Sequence, residues 1–415
     1  MRQLCLPCVA FIAGMCLLVN PVDAANKKKH RSDPATSSRS AVQDRGSADA
    51  GLIEVYKLIG AGQIRQALDA SGQLSARFPH FQLAHLVHAD LLNAMHRPLG
   101  KVGDVEGPLN EQARNALQDL REESRLRIQA IREKPPVGHI PAAFLQLSDR
   151  NKHAIAVDAS RARLYLFENR NGQLVLVADY YISLGKLGIE KHAEGDLRTP
   201  LGVYYITGTL SKKSLKSFYG AGALPINYPN PYDTLRGKTG SGIWLHGTPP
   251  EQYSRAPKAS DGCVVLSDPD LSHILEIVES RTTPVVIAPQ LQWVEPGSRT
   301  SDRQTFLSTL NTWKRARTSG DWDSVKPFYT SDFRNYDKNL QQWSAEQATE
   351  LKALKGLSID LKNISTLNWR ESTGVETMVV TFDELIQGAR RGVTKRQYWI
   401  KLQSGWKIFF EAVIG

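Results

Sequence analysis

Cysteine is nearly absent from this chain: of four in 415 residues, Cys5, Cys8 and Cys16 fall near the start and only Cys263 lies beyond them. One thiol in the body excludes an intramolecular disulfide there, and in an oxidising compartment a lone cysteine points to a reactive thiol or to pairing between chains. Long apolar runs are also scarce. The one at residues 4–19 follows Arg2 and is sixteen residues long, short of the about 20 a spanning helix needs. Val22, Asp23 and Ala24 before Ala25 resemble a small-residue cleavage site, so residues 1–24 read as a secretory leader, with an uncleaved inner-membrane anchor as the alternative. Ala13, Gly14 and Met15 lack the leucine and small residue of a lipidation signal, which excludes Cys16 as a lipid anchor.

Metal-ligand patterns are missing as well. His85 and His88 stand three apart, a spacing two ligands could share, but no third ligand stands at a matching position, and no metal or organic cofactor is expected. The net charge of +10 would suit an anionic partner, yet no nucleic-acid motif accompanies it, so nucleic acid is not an expected partner. Part of the excess lies in residues 25–50, where Lys27, Lys28, Lys29, Arg31, Arg39 and Arg45 face only Asp33 and Asp44 up to residue 47, in a Ser- and Ala-rich context without hydrophobic periodicity. That composition predicts a disordered basic linker.

The length predicts two or three domains. Residues 51–134 carry apolar positions every three to four residues, among them Leu52, Val55, Tyr56 and Ile59, then Ile64, Ala67, Leu68 and Leu74, the period of amphipathic helices. Gly60 and Gly62 separate two helices, and residues 62–92 resemble one tetratricopeptide-type hairpin. Pro135, Pro136 and Pro141 end the helical part. Residues 152–288 then read as short strands at 153–158, 162–168, 173–183, 202–207, 241–246, 263–266 and 284–288, with Asn171-Gly172 as a type I′ hairpin signal. One helix, at 268–280, is entered through Asp268 as N-cap and Pro269. Residues 300–415 change again: helices at 302–317, 321–329 and 345–355, then strands at 358–366, 376–387, 394–402 and 405–413, an α+β pattern.

Cys263 sits in Ser260-Asp261-Gly262-Cys263-Val264-Val265-Leu266, seventeen positions after the histidine of Trp244-Leu245-His246-Gly247. A free cysteine is most often a small buried hydrophobe. A thiol becomes a nucleophile when a neighbour takes its proton or holds the thiolate, and His246 is the candidate. The carbonyl of Gly247 is placed to fix the imidazole tautomer, and the amides of Gly262 and Cys263 are candidate oxyanion donors.

Strand-end His-Gly, then Ser-x-Gly-Cys with sixteen residues between His246 and Cys263, resembles the YkuD-type L,D-transpeptidase catalytic domain. The supporting blocks are Gly195-Asp196-Leu197-Arg198-Thr199-Pro200, Phe218-Tyr219-Gly220, Asn227-Tyr228-Pro229-Asn230 and Gly240-Ser241-Gly242-Ile243-Trp244. The resemblance implies that Cys263 attacks the peptide bond after meso-diaminopimelate in a peptidoglycan tetrapeptide stem, with His246 as general base and acid and the Gly247 carbonyl as orienting group. It implies release of D-alanine and an acyl-enzyme resolved by an amine or by water. Arg255, eight residues before Cys263, is a candidate partner for a stem carboxylate. Tyr219 and Tyr228 are candidates for the cleft wall, with packing as the alternative. Asp261 replaces the histidine many members carry, and a carboxylate facing inward there would raise the thiol pKa, so it is expected to face solvent or a cation.

Residues 300–415 resemble the nuclear transport factor 2-like cone through Trp313, Trp322, Phe328-Tyr329, Asp332-Phe333 and Gly405-Trp406-Lys407-Ile408. The three-part layout of helical segment, mostly β YkuD-type domain and α+β cone resembles the cell-shape-determining L,D-carboxypeptidases of helical bacteria. The expectation is a periplasmic enzyme of cell-wall remodelling, an L,D-transpeptidase first and an L,D-carboxypeptidase or amide hydrolase as the alternative. A noncatalytic wall-binding scaffold is the reading from another class. The partners are peptidoglycan stem peptides and, for an amine acceptor, a lipoprotein as acceptor or donor, with a homodimer through the helical or C-terminal domain as a further expectation.

Overall fold

The computed structural model describes residues 48–414; the leader at 1–24, Cys5, Cys8 and Cys16, and nearly all of the basic stretch lie outside them. Four helices come first, Ala48–Gly60, Ile64–Arg77, Gln82–Ala94 and Glu111–Arg132, and no helix among the described residues is long and apolar enough to cross a membrane. Leu52, Val55, Ala67, Leu74, Phe81, Val87 and Leu91 meet in one apolar cluster, as their spacing predicts. Residues 48–50, expected in the linker, open the first helix instead. The reason is electrostatic: Asp49 pairs with Arg127 and, at 3.2 Å, with Arg163. Arg127 also meets Glu123 at 2.9 Å, and Arg163 meets Asp179 at 2.6 Å. Each buried charge has a counter-charge, which such burial requires.

The middle region contains a five-stranded sheet in the order Gln173–Tyr181, Arg163–Arg170, His153–Asp158, Pro284–Ala288, Gly202–Tyr205, antiparallel except for the parallel pair His153–Asp158 and Pro284–Ala288. Asn171 (φ 54°) and Gly172 (φ 85°) make its hairpin turn, as read from the sequence. Both faces of this sheet are covered. Side chains alternate along a strand, so Ile155, Val157, Leu164 and Leu166 face one cluster, shared with Leu224, Leu245, Val264 and the helix Asp268–Ile277. Ala154, Ala156, Tyr165, Phe167, Val203 and Tyr205 face another, shared with Leu367, Val379, Tyr398, Phe409 and Phe410 of the C-terminal part.

The C-terminal part is a seven-stranded sheet in the order Lys338–Asn339, Tyr329–Asn335, Gly405–Val413, Val393–Leu402, Glu376–Ile386, Ile359–Arg370, Phe144–Gln146. Helices Thr300–Arg317 and Leu340–Leu354 contribute Phe306, Leu310, Trp313, Leu351 and Leu354 to a core with Phe382 and Trp399. Three strands of this sheet were not legible, the two-residue Lys338–Asn339 among them. The expected helix at 321–329 ends early, as Trp322–Val325 and the 3-10 turn Lys326–Phe328, because Pro327 cannot continue an α-helix; Tyr329–Asn335 then runs as a strand parallel to Gly405–Val413. Phe144–Gln146, upstream of the catalytic region, adds the edge beside Ile359–Arg370.

Candidate active site

The four-stranded sheet Val264–Val265, Trp244–His246, Gly222–Pro225, Leu210–Ser211 carries the candidate site. Its first two strands are parallel, with Leu245 opposite Val264 and His246 opposite Val265. Continued by one residue, that register sets Cys263 beside Trp244, and strand alternation turns Cys263, Trp244 and His246 to one face. The Trp244 amide donates to Sγ at 3.4 Å, and the thiol lies 3.6 Å from the Gly242 carbonyl. His246 is buried and its Nδ1 lies 2.7 Å from the Gly247 carbonyl. That bond assigns the ring proton to Nδ1 and leaves Nε2 as the basic atom.

Burial pushes the His246 pKa down to about 4, with the charge of Arg255 adding to the fall and the Gly247 bond opposing it. Burial likewise pushes the Cys263 thiol up, against the Trp244 amide, the Arg255 charge and the Lys191 charge, while Asp261 adds to the rise. The free protein therefore holds a neutral thiol beside a neutral imidazole, and the arrangement is one of base-assisted attack.

A residue missed in the sequence holds this corner. Ser267, not Asp268, caps the helix Asp268–Ile277, its hydroxyl accepting from the Asp270 amide. The Asp268 carboxylate is thereby free to accept from the Ala221 amide at 2.9 Å. It lies against two glycines: a Cβ at Gly220 would fall 1.8 Å from its Oδ1, and one at Gly247 would fall 2.0 Å away. Asp268 thus packs the Ser217–Tyr219 turn against Gly247, whose amide donates to the Tyr219 carbonyl at 3.1 Å. No sequence signal marks this contact, since Asp268 also reads as a good cap. Gly247→Ala is expected to destabilise the fold by about 1–3 kcal/mol through overpacking, and Asp268→Ala in the same chain to return most of the loss. Thermal unfolding of the single and double variants checks it; an unchanged melting temperature in Gly247→Ala alone would contradict it.

The remaining candidates divide. Tyr219 is at the site, its ring edge-on to His246 at 5.0 Å and 5.0 Å from Trp244. Phe218, which no sequence argument singled out as a site residue, is 6.0 Å from the His246 ring, and the Arg255 guanidinium lies 4.3 Å from its centroid. Arg255 is half-buried and forms no ion pair among the described residues. Tyr228 is instead a core residue: it is buried with Leu224 and Tyr204 around it, and its hydroxyl donates to the Thr239 carbonyl at 3.1 Å. The Gly262 amide is engaged by the Ser260 hydroxyl at 3.1 Å, which corrects its expected role as an oxyanion donor and leaves the Cys263 amide, with no partner among the described residues. Gly262 is needed for another reason, since at φ +123° a Cβ there would meet the Arg198 carbonyl at 2.7 Å. Asp261 is exposed and pairs with Lys186 at 2.9 Å, as expected for a carboxylate turned from the thiol. His85 and His88 bond separately, to the Pro79 carbonyl and to Ser71.

Residues 152–287 match the YkuD family, the L,D-transpeptidase catalytic domain, and residues 305–412 match the Cds6 C-terminal NTF2-like domain. Among solved structures, Bd1075 of Bdellovibrio bacteriovorus is similar with a TM-score of 0.56 and 24% identity, covering 66% of this chain and 98% of its own. Pgp2 of Campylobacter jejuni, described as a helical cell shape determining protein, is similar with a TM-score of 0.53 and 22% identity, covering 66% of this chain and 95% of its own. No curated protein matches the chain. The architecture is therefore a helical segment, a mostly β YkuD domain and a C-terminal NTF2-like domain, and the likeness to the two solved proteins is one of fold.

Proposed function

We propose that this protein is a cysteine L,D-transpeptidase acting on peptidoglycan tetrapeptide stems, outside the cytoplasm and in the periplasm where a Gram-negative wall lies. The YkuD match supports a peptidoglycan-acting L,D-transpeptidase or carboxypeptidase family. The observation that carries the reading is the parallel strand pair that sets Cys263 on the same face as a histidine fixed by its own next carbonyl. As the carbonyl carbon of diaminopimelate reaches Sγ, Nε2 of His246 takes the thiol proton and the C–S bond forms. The Cys263 amide faces the developing oxyanion. The imidazolium returns the proton to the departing D-alanine nitrogen as the C–N bond breaks, leaving a thioester.

An amine then gives a cross-link or attaches a lipoprotein; water gives the tripeptide. The carboxypeptidase is the second reading, since the same acyl-enzyme serves either acceptor. Incubating purified disaccharide-tetrapeptide with the protein and with Cys263→Ala, followed by mass spectrometry, separates them. A Cys263-dependent dimer is the expected product of the transpeptidase; loss of one alanine without a dimer would establish the carboxypeptidase. Identical spectra from both proteins would remove the tetrapeptide as substrate and leave a lipoprotein- or cross-link-directed substrate, or the scaffold.

A further inference from the structure

The helical segment reaches the candidate site through one arm, residues 249–256. Tyr253 of this arm lies in the apolar cluster of the helices, its ring 4.6 Å from Phe81 and 5.6 Å from Phe78, and its amide donates to the His80 carbonyl at 3.2 Å. The next residue, Ser254, donates to Glu123 at 2.8 Å. Glu123 is held in turn by Arg127, whose guanidinium lies 4.0 Å from the Tyr181 centroid. The Tyr181 hydroxyl donates to the Arg255 carbonyl at 2.9 Å. Apart from the Thr248 hydroxyl, which donates to the Tyr253 carbonyl at 3.4 Å, the hydrogen bonds of residues 253–255 lead to the helices or to a ring they cover.

The arm ends on Arg255, which stands on Phe218 beside the thiol and imidazole. Two cations act on the Cys263 thiol, Arg255 and Lys191, and Lys191 is neutralised by Asp196 at 2.7 Å. Arg255 is the one of the two without a carboxylate partner among the described residues, which suits it to an anionic group of the bound molecule.

We propose that the helical segment is a positioning element of the catalytic site: through Glu123 and the Phe78–Phe81 seat it fixes residues 253–255, and with them Arg255 as the receptor for a carboxylate of the donor peptide. This rests on the peptidoglycan reading for the identity of the donor, but the placement of Arg255 can be tested without it. Cys263 in the full chain is alkylated with iodoacetate and with iodoacetamide, and the rates are read at the Cys263 peptide by mass spectrometry. A fixed guanidinium beside the thiol favours the anionic reagent, and Arg255→Ala is expected to lower the iodoacetate-to-iodoacetamide ratio about three- to tenfold at low salt.

Ser254→Ala and Tyr253→Leu, which leave Arg255 in the chain, are expected to lower the ratio by a comparable factor while the iodoacetamide rate stays within about twofold of wild type. Combining either with Arg255→Ala is expected to add nothing. In the tetrapeptide assay the same variants raise KM more than they lower kcat. A wild-type ratio in both Ser254→Ala and Tyr253→Leu, an unchanged ratio in Arg255→Ala, or additive losses in the doubles would overturn the proposal. The two readings separate: the expected ratios with no Cys263-dependent product reject the reaction and keep the arm, and product formation with unchanged ratios does the reverse.

Discussion

Replacing His246 by glutamine is expected to lower kcat/KM on the tetrapeptide stem by about three orders of magnitude, the scale on which a positioned base contributes. The neutral pair makes the loss large, because a thiol raised by burial forms little thiolate on its own at neutral pH. In the free protein, thiolate absorbance, taken as wild type minus Cys263→Ala, should appear only above the ordinary thiol range; a plateau of thiolate between pH 5 and 8 would mean an ion pair and would refute the neutral assignment. The same histidine gives stability an acid dependence. Its folded pKa of about 4 lies below the ordinary 6.5, so between those values the unfolded chain holds a proton that the folded chain does not. Stability is therefore complete above about pH 6.5 and falls by about 3 kcal/mol as pH drops to about 4. Thermal unfolding from pH 4 to 7 should show this slope flattened in His246→Gln; parallel curves would contradict it.

Removal of residues 300–415 is expected to leave no soluble folded catalytic region. The face of the five-stranded sheet bearing Tyr165, Phe167, Val203, Tyr205 and Val286 is buried with the C-terminal Leu367, Val379, Tyr398 and Phe410, and Arg396 stacks on Tyr205 with 3.3 Å between guanidinium and ring centroid. At about 2 kcal/mol for each large apolar side chain returned to water, uncovering those five forfeits on the order of 10 kcal/mol, comparable with the whole stability of an ordinary domain. Expression of residues 25–299 should give aggregate or a species that binds a hydrophobic dye and fails to label at Cys263. A monodisperse product with wild-type labelling would show that this face needs no cover.

What was legible follows from the range of the interactions. Cys263, His246 and the Gly247 carbonyl act through neighbours close in sequence or through one strand pair, and Asn171-Gly172 is a turn set by its own two residues. The C-terminal strands were legible because Glu376–Ile386 and Val393–Leu402 are long and rich in β-branched and aromatic residues. Tyr329–Asn335 was not, since its burial alternates poorly and its pairing with Gly405–Val413 and Lys338–Asn339 makes it a strand. Asp268 and Phe218 were hidden for a similar reason: each depends on which loop returns beside it. Of the two readings of Tyr228, cleft wall and packing, its burial and its hydroxyl on the Thr239 carbonyl fit packing.

The three-residue strand Phe144–Gln146 has a kinetic consequence. Ser148, just beyond it, donates its amide to Ser365, 217 positions later, so the whole catalytic region is a loop thrown out between one edge of the last sheet and its remaining strands. Pairings this distant are slow to form. As the chain emerges, residues 144–148 wait with open backbone groups until the strand Ile359–Arg370 has followed.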